Sequence, residues 1–326
     1  MNRATLVDSR SAACEACHAQ PARRFPGLPM QAIDGFSATR GHPAFKPLVA
    51  RFDAAAGQFS WSEASPRDGE PHSDTNLRFS HAHHLAAAGL RTPQGSKVLG
   101  CSDCHEPDEN GVSFKPVQME RHCASCHRLD FDPADPQRTV PHGQPAQVTG
   151  VLRDFYAHAA LAGGLDKASA PAFVQLRRRP GETLSPQQAR RAMAWADHES
   201  SVVIEEVFER RLCSTCHVVR RTGDAAVPFA IAPVAPQRPD LLPHARFSHA
   251  AHRGETCASC HAAATSQHSE DVLLPGLKRC GDCHGDRGSG AKVQSTCLTC
   301  HGFHAGSQNM AATSPPAAPR ATESPQ

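Results

Sequence analysis

Large aromatic side chains are what this chain has least of. Among 326 residues there are one tyrosine and two tryptophans, and aromatics make up only 5%. A chain of this length with so few large apolar side chains is short of material for a conventional core. Long hydrophobic runs are missing too: no stretch approaches the roughly 18–20 apolar residues that cross a bilayer as a helix. Met1–Ala13 lacks the apolar centre of a signal peptide and reaches Cys14 almost at once. No block of one charge sign occurs and the formal net charge is +2, so nothing points to a nucleic-acid partner. Methionine is scarce, with five residues including Met1.

The excess lies elsewhere, in 14 cysteines, 21 histidines, 27 prolines and 23 glycines. Every cysteine belongs to a CxxCH motif, and there are seven: Cys14/Cys17/His18, Cys101/Cys104/His105, Cys123/Cys126/His127, Cys213/Cys216/His217, Cys257/Cys260/His261, Cys280/Cys283/His284 and Cys297/Cys300/His301. The spacing has a chemical reason. Two thiols separated by two residues can add to the two vinyl groups on one haem edge, and the adjacent histidine is then held beneath the iron as its proximal ligand. Seven covalently bound haem c groups are expected, and porphyrins would then replace much of the missing core. Their propionates would add about fourteen negative charges, partly offset by the irons, making the loaded protein acidic.

Zinc is the chemical rival, because Cys101/Cys104 and Cys123/Cys126 have a spacing compatible with a Cys₄ site. Three features weigh against it. A histidine follows the second cysteine every time, seven pairs cannot all combine into Cys₄ sites, and no cysteine is left for disulfides or separate redox work.

Fourteen histidines remain once the proximal ones are removed, and context selects among them. His81/His84 and His249/His252 are HxxH pairs, which share one face of a helical turn and can serve two neighbouring haems. His42 and His142 sit beside proline or glycine in loops, and His304 lies three residues past His301. The set His42, His81, His84, His142, His249, His252 and His304 equals the irons in number, with His122, His158, His244 and His268 in reserve. Bis-histidine coordination with generally low potentials is expected to dominate over methionine ligation.

Along the chain, residues 1–149 form an N-terminal trihaem region whose stretch to about residue 75 reads as an extended wrapping segment with turns. Residues 150–212 carry no cysteine and read as a helical spacer. One helix over Val151–Leu161 should stop at Gly163-Gly164; another should start with Ser185 as N-cap and Pro186 at its first position and run to Cys213. Residues 213–304 form a C-terminal tetrahaem region, and 305–326 a disordered tail. Arg78–His84 and Arg246–His252 agree at six of seven positions, an internal repeat with a CxxCH downstream each time. The expected fold is mostly irregular with α-helices, a haem-stacked arrangement with little or no β-sheet.

The run Phe247-Ser-His249-Ala-Ala-His252, followed by Cys257–His261, resembles the class III multihaem cytochromes c. That resemblance implies that the first histidine of the pair serves the haem just downstream and the second serves another. Gly41-His42-Pro43, Val140-Pro-His142-Gly143, Asp271-Val-Leu-Leu-Pro275 and Cys297-Leu-Thr-Cys-His301-Gly-Phe-His304 are similar to a larger bacterial group of multihaem cytochromes. Members of that group generally carry additional N-terminal sequence with a membrane anchor and further motifs. Its lack here implies a truncated start, with membrane association only through the missing segment or a partner. Haem attachment of this kind takes place outside the cytoplasm, so a periplasmic or cell-surface location is expected.

The expected role is electron transfer between redox protein partners, without catalysis. The alternative is a multihaem oxidoreductase with one open haem that reduces a nitrogen or sulfur oxyanion. Such an enzyme needs an iron with a vacant face and nearby acid/base groups. All seven motifs end in histidine, and candidate distal histidines outnumber the irons two to one, which favours the carrier.

Overall fold

A computed structural model describes residues 11–302 apart from 28–29, 34, 37–40, 65–70, 93–94, 180, 239 and 287–288. His304, the tail 305–326 and the first ten residues lie outside the described residues.

Pro145 opens the first long helix and Gly163 closes it. The helix Pro145–Ala162 begins with proline, whose missing N–H falls where no intrahelical bond is made, and ends at Gly163 with φ 75°. The second, Pro186–Glu205, is capped by Ser185, whose hydroxyl accepts from the Gln188 N–H while the Gln188 side chain accepts from the Ser185 N–H. It continues without a break as a wider π-helical turn, Glu206–Arg211, and leads into the helical turn Cys213–Cys216. The spacer therefore delivers the fourth motif directly.

The two helices pack on each other around an ordinary hydrophobic core. Leu152, Tyr156, Val174, Val203, Ile204, Val207 and Phe208 are buried there, with Phe131 and Phe229. This corrects the expectation drawn from composition. Aromatics are rare overall, yet Phe131, Phe155, Tyr156, Phe173, Trp195, Phe208 and Phe229 all lie in this core or pack against it. A buried polar cluster sits inside it. Lys167 Nζ lies 2.8 Å from Asp132 Oδ2 and 3.0 Å from Glu199 Oε1. The Tyr156 hydroxyl donates to Asp132, and Ser169 Oγ donates to Glu199 at 2.8 Å.

Among the described residues sheet is sparse and always two-stranded. The longest piece is an antiparallel hairpin, Leu48–Asp53 with Gln58–Glu63, in register Ala50↔Trp61 and Phe52↔Phe59. Asp53 Oδ1 accepts from the Ala55 and Ala56 N–H groups, and Gly57 takes φ 66° to close the turn. Val49 and Ala50 are fully buried. Part of the expected wrapping segment is thus a hairpin, its strands too short to stand out in proline- and glycine-rich surroundings. Leu90–Thr92 pairs with Gly95–Lys97, Val219–Arg221 with Phe229–Ile231, and His284–Gly285 in parallel with Val293–Gln294. The architecture is mixed helix with small sheets and irregular connections.

Two compact units emerge, and they interleave along the chain. One comprises residues 1–45, 242–247 and 275–326; the other comprises 46–241 and 248–274. The first unit contains the motifs beginning at Cys14, Cys280 and Cys297, and the second those beginning at Cys101, Cys123, Cys213 and Cys257. The sections 1–149, 150–212 and 213–304 follow chain order, whereas these units cut across it.

Candidate metal centres

Each CxxCH motif begins in a short helical turn. In Cys14/Cys17, Cys213/Cys216 and Cys297/Cys300 both cysteines belong to the helix, at i and i+3 on one side. The sequence gives all fourteen cysteines one role, but the structure does not place them alike. Cys104, Cys126, Cys260 and Cys283 lie past the last residue of their turns, which end at Asp103, Cys123, Ser259 and Gly281. A tight backbone bond holds each in place instead. The N–H of Cys104 donates to Cys101 at 3.3 Å, that of Cys126 to Cys123 at 3.0 Å, that of Cys260 to Cys257 at 3.1 Å and that of Cys283 to Cys280 at 3.2 Å. Cys126 is exposed, whereas Cys260 and Cys283 are half-buried. The sulfurs of Cys126 and Cys260 lie 3.8 Å and 3.6 Å from the hydroxyls of Ser125 and Ser259. A thioether sulfur is still a weak acceptor, so these contacts are compatible with attachment.

In five motifs the histidine N–H donates to the first cysteine carbonyl: His105 to Cys101 at 2.9 Å, His127 to Cys123 at 2.8 Å, His217 to Cys213 at 2.8 Å, His261 to Cys257 at 2.9 Å and His301 to Cys297 at 2.9 Å. One backbone bond thereby fixes the position of the histidine relative to both thiols.

Five of these proximal histidines have a second, non-motif histidine opposite them. Ring centres are 6.0 Å apart for His301 and His42, 6.4 Å for His105 and His81, and 6.2 Å for His127 and His84. The separation is 5.9 Å for His217 and His142, and 6.3 Å for His261 and His249. A metal–imidazole bond is about 2.0–2.1 Å and the nitrogen sits about 1.1 Å from its own ring centre, so two imidazoles across one metal have centres about 6.2–6.4 Å apart. The observed spacings cluster around that value. The pairs draw in His42, His81, His84, His142 and His249, five of the seven distal candidates.

Hydrogen bonds at the far side of these rings define their tautomers. Nδ1 donates to a backbone carbonyl in His261 (Leu273, 2.6 Å), His301 (His244, 2.6 Å), His84 (Ser80, 2.8 Å), His249 (Val112, 3.0 Å), His252 (Ser248, 2.9 Å) and His42 (Pro43, 2.8 Å). With the proton on Nδ1, the lone pair is on Nε2, as a metal ligand requires, and the carbonyl raises the ring's basicity. His284 Nδ1 is similarly engaged by Ser295 Oγ at 2.8 Å. His122 Nδ1 lies 2.9 Å from the Gln118 N–H and 3.1 Å from the Gln118 carbonyl, and its Nε2 is buried without a hydrogen-bond partner.

The repeated heptapeptide is also a structural repeat. Ser80 caps the turn His81–His84, its hydroxyl accepting from the His83 N–H, and His249–His252 forms the equivalent 3₁₀ turn. The Arg78 N–H donates to the Cys216 carbonyl at 2.7 Å, and the Arg246 N–H to the Cys300 carbonyl at 2.6 Å. Each element thus begins against the second cysteine of a motif that is not its downstream neighbour. The first histidine of each pair, His81 or His249, faces the next motif downstream. His84 faces the motif after that, so the two imidazoles of this turn are directed to different centres.

Other candidates stand apart. His18 ends the helix Ser11–His18, which packs against Cys297–Cys300. His158 and His198 are exposed on the two long helices, and His72 lies 3.8 Å from Asp271. Phe114, set between His105 and His249, and the carbonyls of Leu273 and Val112 were missed by sequence reasoning. A backbone acceptor leaves no side-chain signature, and Phe114 belongs to no motif.

The cysteines are not joined as disulfides. Burial pushes the Cys213 thiol up to about 11, and burial likewise raises Cys216, Cys300 and Cys104. Dithiol redox chemistry needs the opposite, a depressed value. A Cys₄ zinc site needs several converging ligands, and among the described residues no three histidine, cysteine, aspartate or glutamate side chains gather at one point. No helix among the described residues is long and apolar enough to cross a membrane. Comparison with known proteins finds no matching family, curated protein or solved structure.

Proposed function

We propose that this chain is a heptahaem c-type cytochrome that carries single electrons between redox protein partners outside the cytoplasm, without catalysing a reaction of its own. The observation that carries this reading is the fivefold pairing of a CxxCH histidine with a non-motif histidine, at 5.9–6.4 Å between ring centres.

A bound haem supplies an iron that alternates between Fe(III) and Fe(II), gaining or losing one electron at a time. The cysteines of each motif fix the porphyrin edge through thioethers, and the motif histidine occupies one face. His42, His81, His84, His142 and His249 would occupy the opposite faces of five haems, and His252 and His304 are the further candidates that the sequence offers. A side chain on both faces leaves no vacant position for a small substrate, which favours a carrier over an oxyanion reductase. Bis-imidazole ligation with backbone-bonded Nδ1 atoms favours low potentials.

Intact mass tests the reading. Expression with a haem-maturation system should give the 34.8 kDa polypeptide plus seven haems, all retained on denaturation. Thiols that still alkylate, or zinc retained in place of haem, would overturn it.

A further inference from the structure

The larger unit holds the motifs beginning at Cys101, Cys123, Cys213 and Cys257, in that chain order. Their axial histidines neighbour one another differently. Phe114 packs edge-on against His105, at 6.0 Å between ring centres, and against His249 at 4.8 Å. One phenyl ring is therefore shared by the Cys101 motif and the imidazole opposite the Cys257 motif. The turn after His105 reinforces this link: the Ala250 N–H donates to the Gly111 carbonyl at 2.7 Å, and His249 Nδ1 to Val112 at 3.0 Å.

A second phenyl ring makes the next link. Phe79 lies 4.9 Å from His81 and 4.4 Å from His84, which face the Cys101 and Cys123 motifs. The third link joins Cys123 to Cys213. A cavity of about 420 Å³ is bordered by both His127 and His142, and Glu120, three residues before Cys123, lies 3.3 Å from His142 Nδ1.

We infer that the four haem-binding motifs of this unit form one row in the order Cys257, Cys101, Cys123, Cys213, with the first and last at its two ends. The inference rests on the proposed haem attachment. An electron crossing between the end motifs passes both middle ones. At each transfer one Fe(II) is oxidised as its neighbouring Fe(III) is reduced, one partner protein supplying the electron and another removing it.

Iron positions located by anomalous scattering in crystals of the seven-haem protein test the row. The Cys257 iron should be nearest, within the unit, to the Cys101 iron, and the Cys213 iron nearest to the Cys123 iron. The Cys257–Cys213 separation should be the longest of the set. A row in chain order, or a cluster in which Cys213 lies nearest Cys101, overturns the inference while leaving the carrier reading standing. Failure to find covalent haem would sink the carrier reading itself. In solution, His249→Ala should make the Cys257 haem high-spin and broaden the electron paramagnetic resonance signal of the Cys101 haem, leaving that of the Cys213 haem unchanged. Broadening of the Cys213 signal instead would also overturn the row.

Discussion

His261 and Leu273 are joined through a 2.6 Å hydrogen bond from the ring Nδ1 to the backbone carbonyl. Opposite it, His249 Nδ1 donates to Val112. Both imidazoles of this pair are thus made more basic by a carbonyl, which would stabilise Fe(III) in a haem bound between them. At the Cys101 centre, His81 Nδ1 is buried without a hydrogen-bond partner. The Cys257 haem should therefore have the lower potential of the two. Redox titration followed by electron paramagnetic resonance, with signals assigned through His249→Met and His81→Met, checks the order; a reversed order would show that other influences outweigh these hydrogen bonds.

His84 offers a direct test of ligation. The reduced holoprotein should bind almost no carbon monoxide at neutral pH, whereas His84→Ala should bind one per chain, at the Cys123 haem. The Cys101 haem should stay low-spin, because His81 remains on the same turn. Prompt binding by the unaltered protein would point instead to an open haem and to the oxidoreductase.

Gly111 has φ 64°, and a Cβ placed there would lie 3.1 Å from the Cβ of Ala250. Gly111→Ala should cost about 1–2 kcal/mol in backbone strain alone. It should also disturb the His249 turn, raising the high-spin fraction at the Cys257 haem and not at the Cys213 haem. Absorption and magnetic circular dichroism spectra of the variant measure this.

Lys167 holds two buried carboxylates together. Burial pushes the Asp132 carboxyl up, but Lys167 and the Tyr156 hydroxyl outweigh it and hold the group below the usual carboxylate range. A lowered folded-state value contributes stability that is complete above the ordinary range and disappears as pH falls through the lowered value. Lys167→Met should destabilise the helical section by about 3–5 kcal/mol, the cost of leaving buried charge unpaired. It should also move acid unfolding to higher pH. Urea and acid titrations followed by far-ultraviolet circular dichroism read both effects.

Much of the candidate site was legible because its chemistry is written in side chains. The CxxCH spacing and the HxxH repeat are local patterns, and Ser185-Pro186 and Gly163 mark helix ends by local backbone rules. That spacing did not tell Cys126, Cys260 and Cys283, beyond the ends of their turns, from Cys216 and Cys300 within theirs, because where a one-turn helix stops depends on the residues around it. The pairing of His142 with His217 was less accessible, since contact between residues 75 positions apart depends on how the intervening helices pack. The hairpin at Leu48–Glu63 was hidden for another reason: six-residue strands give weak alternation, and the register rests on the Asp53 turn. Composition misled about the core because an average does not show that seven of the seventeen aromatics lie in or against one helical core.

The interleaving of the two units has a consequence during synthesis. The helix bearing Cys14 finds its packing partner, Cys297–Cys300, only after the residues between His18 and Cys297 have been made. Until then that helix lacks this partner, and closing so long a loop is entropically slow. A segment made long before its partner is therefore late to settle. During that delay an attachment machinery would meet Cys14 and Cys17 on an open chain.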